Sequence, residues 1–227
     1  MNNQIFITAT GTDVGKTFIS ALLVKTAREH GINCGYFKPV LSGALIKDGK
    51  LWAGDCEYVK ETAKLDIETK KLSSYVFEQA VSPHLAARMN NVSIDLEKIK
   101  SDYAGIKANY DYMLTEGAGG IICPVEITEK RTLLLEDIIK SITNDVIIVS
   151  QSGLGSINSA VLTVKYAQSK GINVKGIILN NFDKNDVMHR DNLEQIKKLT
   201  GCKILCTVET GAKTLNLNKE ELLGFFK

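Results

Sequence analysis

A doubly wound α/β fold, with a mainly parallel sheet and helices on both faces, is predicted by three observations. Apolar, β-branched runs alternate with helix-period segments along the chain. Several of these runs are near-continuous in apolar residues, as parallel strands buried on both faces are. The first run, Ile5-Phe6-Ile7, opens through a glycine-containing turn directly into Gly15-Lys16-Thr17 and a helical pattern.

The elements follow in order. Strands are expected at 4–8, 34–37, 112–115, 146–150, 174–179 and 203–208. Helical patterns lie between them at 17–30, 55–64, 94–109, 133–141, 156–170 and 192–199. Gly31 and Gly171 stand just past two helices, where stops belong. Ser93 and Asp55 are expected as N-caps. Residues 41–52, with Ser42-Gly43 and Asp48-Gly49-Lys50, read as a loop. No repeat or linker interrupts the 227 residues, which read as a single domain.

Residues 8–18, TATGTDVGKTF, carry the chemistry. Strand, turn and helix in this order build a polyphosphate cradle, with backbone N–H groups pointing inward at the positive end of a helix dipole. Lys16 can reach the β- and γ-phosphates, and the Thr17 hydroxyl can ligate Mg²⁺. The chain is thereby placed with folds of the P-loop NTPase type. The strict spacing fails at its first glycine, because Thr10 stands there and the glycine is Gly11.

Ligands in open α/β sheets bind at the carboxyl ends of strands. The residues there are Lys38-Pro39-Val40-Leu41-Ser42-Gly43, Glu116-Gly117-Ala118-Gly119-Gly120, Gln151 to Asn158, and Asn180-Asn181. Glu116 can serve Mg²⁺ as a Walker-B acid does. Lys38 is held extended by Pro39; a solvated lysine is its ordinary alternative. Asp55 has an N-cap as its plain reading, and 154–158 a tight turn capped by Ser156. That turn also opens a helix whose free N–H groups suit an anion.

With these residues assembled, the chain resembles the dethiobiotin synthetases. The likeness rests on residues 10–17, KPVLSG at 38–43, Asp55 in GDCEYV, SPHLAA at 82–87, EGAGG at 116–120 with Pro124-Val125, LGSIN at 154–158, and Asn180. The resemblance implies an ATP- and Mg²⁺-dependent closure of 7,8-diaminononanoate with CO₂ or bicarbonate to a cyclic urea. The implied course runs through a carbamate and a carbamic-phosphoric anhydride, giving ADP and phosphate. It makes Lys38 and Lys16 the catalytic cations. It assigns ATP to Asp13, Val14, Gly15, Lys16, Thr17, Phe18, Asp55, Glu116, Gly117, Ala118, Gly119, Asn180 and Asn181, with Asn180 on the adenine. Mg²⁺ falls to Thr17, Asp55 and Glu116. Substrate falls to Thr12, Ser42, Gly155, Ser156 and Asn158, the last three from a neighbouring subunit, so that a homodimer is the working unit.

The chain departs from the family in places. Ala9 stands where the family usually has its first glycine, Gly11 where it usually has Asp, and Asp13 replaces a common Glu. Cys206-Thr207-Val208-Glu209 stands where Gly-x-Ile-Pro usually precedes the adenine turn.

Composition narrows the alternatives. The chain is 44% hydrophobic and 24% charged with net charge +2, and it has no dense basic block, which argues against nucleic acid or membrane surfaces as partners. No apolar run approaches the ~20 residues of a bilayer span, and no leader is read. Five irregularly spaced cysteines suit reduced thiols in a cytoplasm. Cys202 and Cys206 have no second ligand pair nearby, so small buried side chains are expected rather than zinc. Three other readings compete. A corrinoid amide ligase would need a glutaminase domain. A metal-delivery GTPase would need a Cys/His cluster. A partition-type switch would carry an extra lysine early in the loop and a basic or amphipathic tail; the tail 215–227 is amphipathic but short and weakly basic.

Overall fold

The computed structural model describes residues 3–226. Strand β1 (Gln4–Ala9) leads through the phosphate loop into α1 (Lys16–Glu29) and β2 (Cys34–Phe37). An insertion follows: β3 (Val40–Ser42), β4 (Leu45–Lys47), β5 (Lys50–Trp52), α2 (Gly54–Ala63), a 3-10 turn at Thr69–Leu72, β6 (Tyr75–Phe77) and α3 (Pro83–Met89). The chain continues through α4 (Leu96–Lys107), β7 (Tyr112–Glu116), the hairpin β8 (Pro124–Ile127) and β9 (Thr132–Leu134), and α5 (Leu135–Ile142). It ends with β10 (Asp145–Gln151), α6 (Ser156–Ser169), β11 (Asn173–Asn180), α7 (Val187–Thr200), β12 (Ile204–Val208) and α8 (Lys219–Phe225).

Six strands form the central sheet in the order β12-β11-β10-β1-β7-β2, and every pairing in it is parallel. The chain winds from β1 toward β2 on one side and later lays down β10, β11 and β12 on the other. The winding therefore reverses at β1, where such sheets bind ligands.

Period-two alternation divides the strand residues between two cores. Ile5, Ile7, Ala9, Leu114, Ile147, Val149 and Ile178 face α1, α2 and α8. Phe6, Met113, Val146, Ile148, Ile177 and Leu179 face the opposite helices, α3 to α7. Each such aliphatic side chain contributes about 1.5–3 kcal/mol by leaving water. The same alternation sends Glu116, two residues beyond Leu114, to the α1 side of the sheet.

Gly31 and Gly171 end their helices as expected: Ile32 N–H reaches back to Ala27 O, and Ile172 N–H to Ala167 O. Four expectations are corrected. Ser93 is not the cap of α4; its hydroxyl donates to Glu126 Oε1 at 2.7 Å, and Asp95 caps by accepting from Glu97 N–H. Asp55 is not a cap either, because Ala53 holds that place and Asp55 lies inside the first turn of α2. Residues 41–52 are not a plain loop. β3 pairs in parallel with β6, and β4 and β5 form a hairpin turning at Asp48-Gly49, both with positive φ as a two-residue Asp-Gly turn requires. Helix α7 begins at Val187 rather than 192, because Asp186 accepts from Met188 N–H and His189 N–H.

The amphipathic tail turns its apolar side inward. Leu215, Leu217, Leu222, Phe225 and Phe226 join the α1-side core. His30 Nε2 meets Leu217 O at 3.0 Å, and Lys25 Nζ donates to Lys213 O at 2.8 Å. That apolar face is filled by the chain itself, which removes the feature that favoured a partition-type switch. Cys202 is buried beside α7 and Cys206 half-buried on β12, and both are free thiols. No helix of the described residues is long and apolar enough to cross a membrane.

Candidate active site

The phosphate loop closes on Gly15, whose φ of 95° is open to glycine without strain. A Cβ there would lie 2.1 Å from Asn180 Nδ2. Asn180 reaches over from the end of β11 and donates to Val14 O at 3.0 Å, clamping the loop. Its Oδ1 is buried and accepts no hydrogen bond. Lys16 opens α1. It is 7% exposed, and its Nζ donates to Gly11 O at 3.1 Å. Burial lowers its pKa, partly opposed by the Glu116 charge.

Glu116, at the end of β7, is wholly buried. Its Oε1 accepts from the Thr17 hydroxyl at 2.7 Å and from Lys38 Nζ at 2.7 Å. Lys38 also donates to Asp55 Oδ2. Burial alone would pull the Lys38 ammonium down, but Glu116 and Asp55 outweigh it and its pKa is raised. Lys38 therefore stays charged at neutral pH. A raised folded-state value means that its pairing stabilises the fold fully below about pH 10.5, and that this contribution is lost only as pH rises through the folded value.

A cleft of about 470 Å³ collects Thr12, Asp13, Gly15, Lys16, Thr17, Lys38, Ser42, Asp55, Glu116, Ala118 and Gly119. Four elements meet there: the phosphate loop with α1, the segment following β2, α2, and the turn after β7. A larger open groove, about 1300 Å³, lies along α4 and the 3-10 turn. Its lysines are paired with nearby acids, Lys70 and Lys71 with Glu68, Lys98 with Asp102 and Lys60 with Glu57, and no phosphate-loop residue borders it. Convergent unlike charges and a helix N-terminus single out the smaller cleft.

Other expected site residues lie outside its lining. Val14 belongs to the core and Phe18 packs against it. Gly117 serves packing: a Cβ would come within 2.8 Å of Leu135 and 2.9 Å of Phe6. Asn181 bonds Gln151 Oε1 and accepts from Thr210. Gly155, Ser156 and Asn158 stand at the start of α6, apart from this cleft. Ser156 is 3% exposed and its hydroxyl has no partner among the described residues. Leu154 beside it is 95% exposed. Asn192 fixes this turn by donating to Ser152 O and Gly153 O. Ser82 and His84 of the SPH motif bond each other at the start of α3, which packs on β3.

Sequence reasoning missed Asn192, and it missed Tyr36, whose hydroxyl donates to Glu116 Oε2 at 2.8 Å. Tyr36 and Lys38 are two residues apart at the end of one strand, and that spacing was the available signal.

A protein-family model described as an AAA domain matches residues 3–216. Relatives named ATP-dependent dethiobiotin synthetase BioD include one from Clostridium perfringens (strain ATCC 13124), 52% identical, covering 92% of this chain and 91% of that protein. Another, from Clostridium botulinum (strain 657 / Type Ba4), is 47% identical over 100% of this chain and 99% of that one. Among solved structures, a plasmid partition protein from Borrelia burgdorferi aligns with TM-score 0.55 at 14% identity, covering 100% of this chain and 98% of that chain. The MinC:MinD cell division complex of Aquifex aeolicus aligns with TM-score 0.54 at 17% identity, covering 98% and 93%. At such identities the likeness to the solved structures carries the fold alone.

Proposed function

The chain belongs to the ATP-dependent dethiobiotin synthetase family, and from that premise we propose how its own residues divide the work. The enzyme is a ligase that uses ATP to close the ring of dethiobiotin. Its substrates in this reading are 7,8-diaminononanoate and CO₂. One amine attacks CO₂ and loses a proton, leaving a carbamate. A carbamate oxygen attacks the γ-phosphorus and ADP leaves. The second amine attacks the carbonyl carbon, loses its proton and expels phosphate, which closes the urea.

The observation that carries this reading is the Lys38 ammonium, buried between Glu116 and Asp55 at the mouth of a phosphate loop. Carbamate and γ-phosphate are both anionic, so their reaction needs fixed positive charge and alignment. Lys16 supplies charge from the loop side, and Lys38 from the substrate side. Thr12 and Ser42, on the cleft wall, hydrogen-bond the amines or carbamate. Asp13, Gly15, Ala118 and Gly119 border the phosphates. The oxygens of Thr17, Asp55 and Glu116 fit Mg²⁺, a hard cation that prefers carboxylate and hydroxyl donors, and two of these groups already share a cation in Lys38. Mg²⁺, when bound, neutralises charge on the β- and γ-phosphates.

The substrate carboxylate lies at Gly155, Ser156 and Asn158 of a second subunit. Supporting this are the absence of that turn from the lining of its own cleft, the Ser156 hydroxyl, unpartnered among the described residues, and the exposed Leu154 and Leu162 on the same segment. Residues 1–227 act as one ligase domain. A cytoplasmic setting suits the free thiols.

Subunit mixing tests the shared site. Lys38→Ala and Gly155→Asp subunits, each inactive alone, should on mixing regain about a quarter of the wild-type rate of diamine-dependent phosphate release, because half of a symmetric dimer population is mixed and each mixed dimer has one intact site. No recovery in verified mixed dimers would place the carboxylate site within one subunit.

Base choice is the second test. The buried Asn180 Oδ1 accepts from an exocyclic amine, which adenine and cytosine share and guanine lacks at that edge, and the rigid proline turn is absent at 206–209. CTP should therefore substitute in part for ATP in initial rates at equal Mg²⁺, and GTP less. Turnover with ATP alone would overturn this.

A further inference from the structure

Tyr36 is wholly buried on β2, within the α1-side core. A phenol hydroxyl in such a place needs a partner, and it has one in Glu116 Oε2, at 2.8 Å. The two oxygens of Glu116 are thus used differently. Oε1 receives Thr17 and Lys38, both of which border the cleft, whereas Oε2 receives Tyr36, which does not. The terminal torsion of a glutamate is broad and nearly free, so a bond to one oxygen decides which of the two faces the ligand.

We propose that Tyr36 is a positioning residue for the reaction: by holding Oε2 of Glu116 on the core side, it keeps Oε1 turned into the cleft where the nucleotide's divalent cation is held. This rests on the reading of Glu116 as a magnesium-holding acid. Tyr36 touches neither nucleotide nor substrate, so its contribution passes through Glu116 alone. Thr17 and Lys38 bond Oε1, the oxygen that Mg²⁺ would take, so the Tyr36 bond is the one that keeps the carboxylate ordered as they give way to the ion.

The test is titration of a fluorescent, non-hydrolysable ATP analogue with and without Mg²⁺, on wild type, Tyr36→Phe, Glu116→Gln and the double variant. In Tyr36→Phe the Mg²⁺ concentration giving half of the metal-dependent gain in nucleotide affinity should rise about tenfold, the lower end for a lost hydrogen bond to a charged group. Affinity in EDTA should hold, and kcat at saturating Mg²⁺ should fall far less than tenfold. In the Glu116→Gln background the added Tyr36→Phe should have no further effect on the Mg²⁺ requirement. A Tyr36→Phe protein that melts lower but keeps the wild-type Mg²⁺ dependence, beside a shifted Glu116→Gln, would overturn the proposal and leave Tyr36 a packing residue. An unshifted Glu116→Gln would instead overturn the reading of Glu116 on which it rests. If Tyr36→Phe is not recovered folded, Tyr36→Met, which also lacks the donor but fills the core flexibly, takes its place: a raised Mg²⁺ requirement with unchanged affinity in EDTA supports the proposal, and a wild-type Mg²⁺ requirement overturns it.

Discussion

Lys38→Ala should lower kcat about a thousandfold while changing nucleotide affinity by less than about tenfold, the pattern of a group whose interaction grows in the transition state. The ammonium already sits at the place of need, between Glu116 and Asp55 and beside Thr17. As the carbamate oxygen approaches the γ-phosphorus, negative charges close on one another, and a buried cation there is worth far more than in water. Nucleotide affinity is set mainly by the loop and Lys16. Truncation also leaves Glu116 without its cation, so the melting temperature should be followed. Lys38→Arg separates the two effects, since it restores charge to the acids but cannot reproduce a point ammonium. Single-turnover phosphate release with diamine and CO₂ at saturation, together with nucleotide titration, measures both quantities. An unchanged kcat in Lys38→Ala removes Lys38 from the chemistry.

Lys16→Ala should fail differently. It should weaken nucleotide binding about a hundredfold and also lower kcat, because Lys16 meets charge in both the ground and the transition state. Its ammonium donates to Gly11 O at 3.1 Å, a single neutral acceptor that a phosphate easily replaces. Its ammonium is buried at a cost that lowers its pKa, and an anion in the loop offsets that cost. Equilibrium binding of an ATP analogue in excess Mg²⁺ reads the first effect, and saturating kinetics the second. A dissociation constant within twofold of wild type would show that backbone N–H groups hold the phosphates without Lys16.

The parts that sequence reasoning reached share a physical cause. The inner strands of the main sheet were legible because burial on both faces leaves unbroken apolar runs, as at 146–150. Lys38 and Glu116 were legible because both stand at strand ends beside a phosphate loop, which weighs against the ordinary reading of each as a solvated charge. The misses share a cause as well. β3, β4, β5 and β6 are three residues long, too short for any period to show. Ser93 and Asp95 are equally good caps in sequence, and only the tertiary bond from Ser93 to Glu126 decides between them. Asp55 lost its capping reading because α2 starts one residue earlier and its carboxylate goes to Lys38. Tyr36 was hidden because, among Cys34, Gly35 and Phe37, a tyrosine counts as one more strand residue.

The strand order also has a consequence for how the chain is made. β1 is made well before its sheet partners β7 and β10, with Phe6 registered against Thr115 and Val146. Until both have been synthesised, the strand that carries the phosphate loop has two open edges, and such long-range parallel pairings form late and slowly. Asn180, which clamps the loop through Val14, emerges later still. A nascent chain therefore cannot hold ATP while it is being made. The nucleotide site comes into being only once β11 has been made, and β1 spends that interval as a segment in need of protection from aggregation.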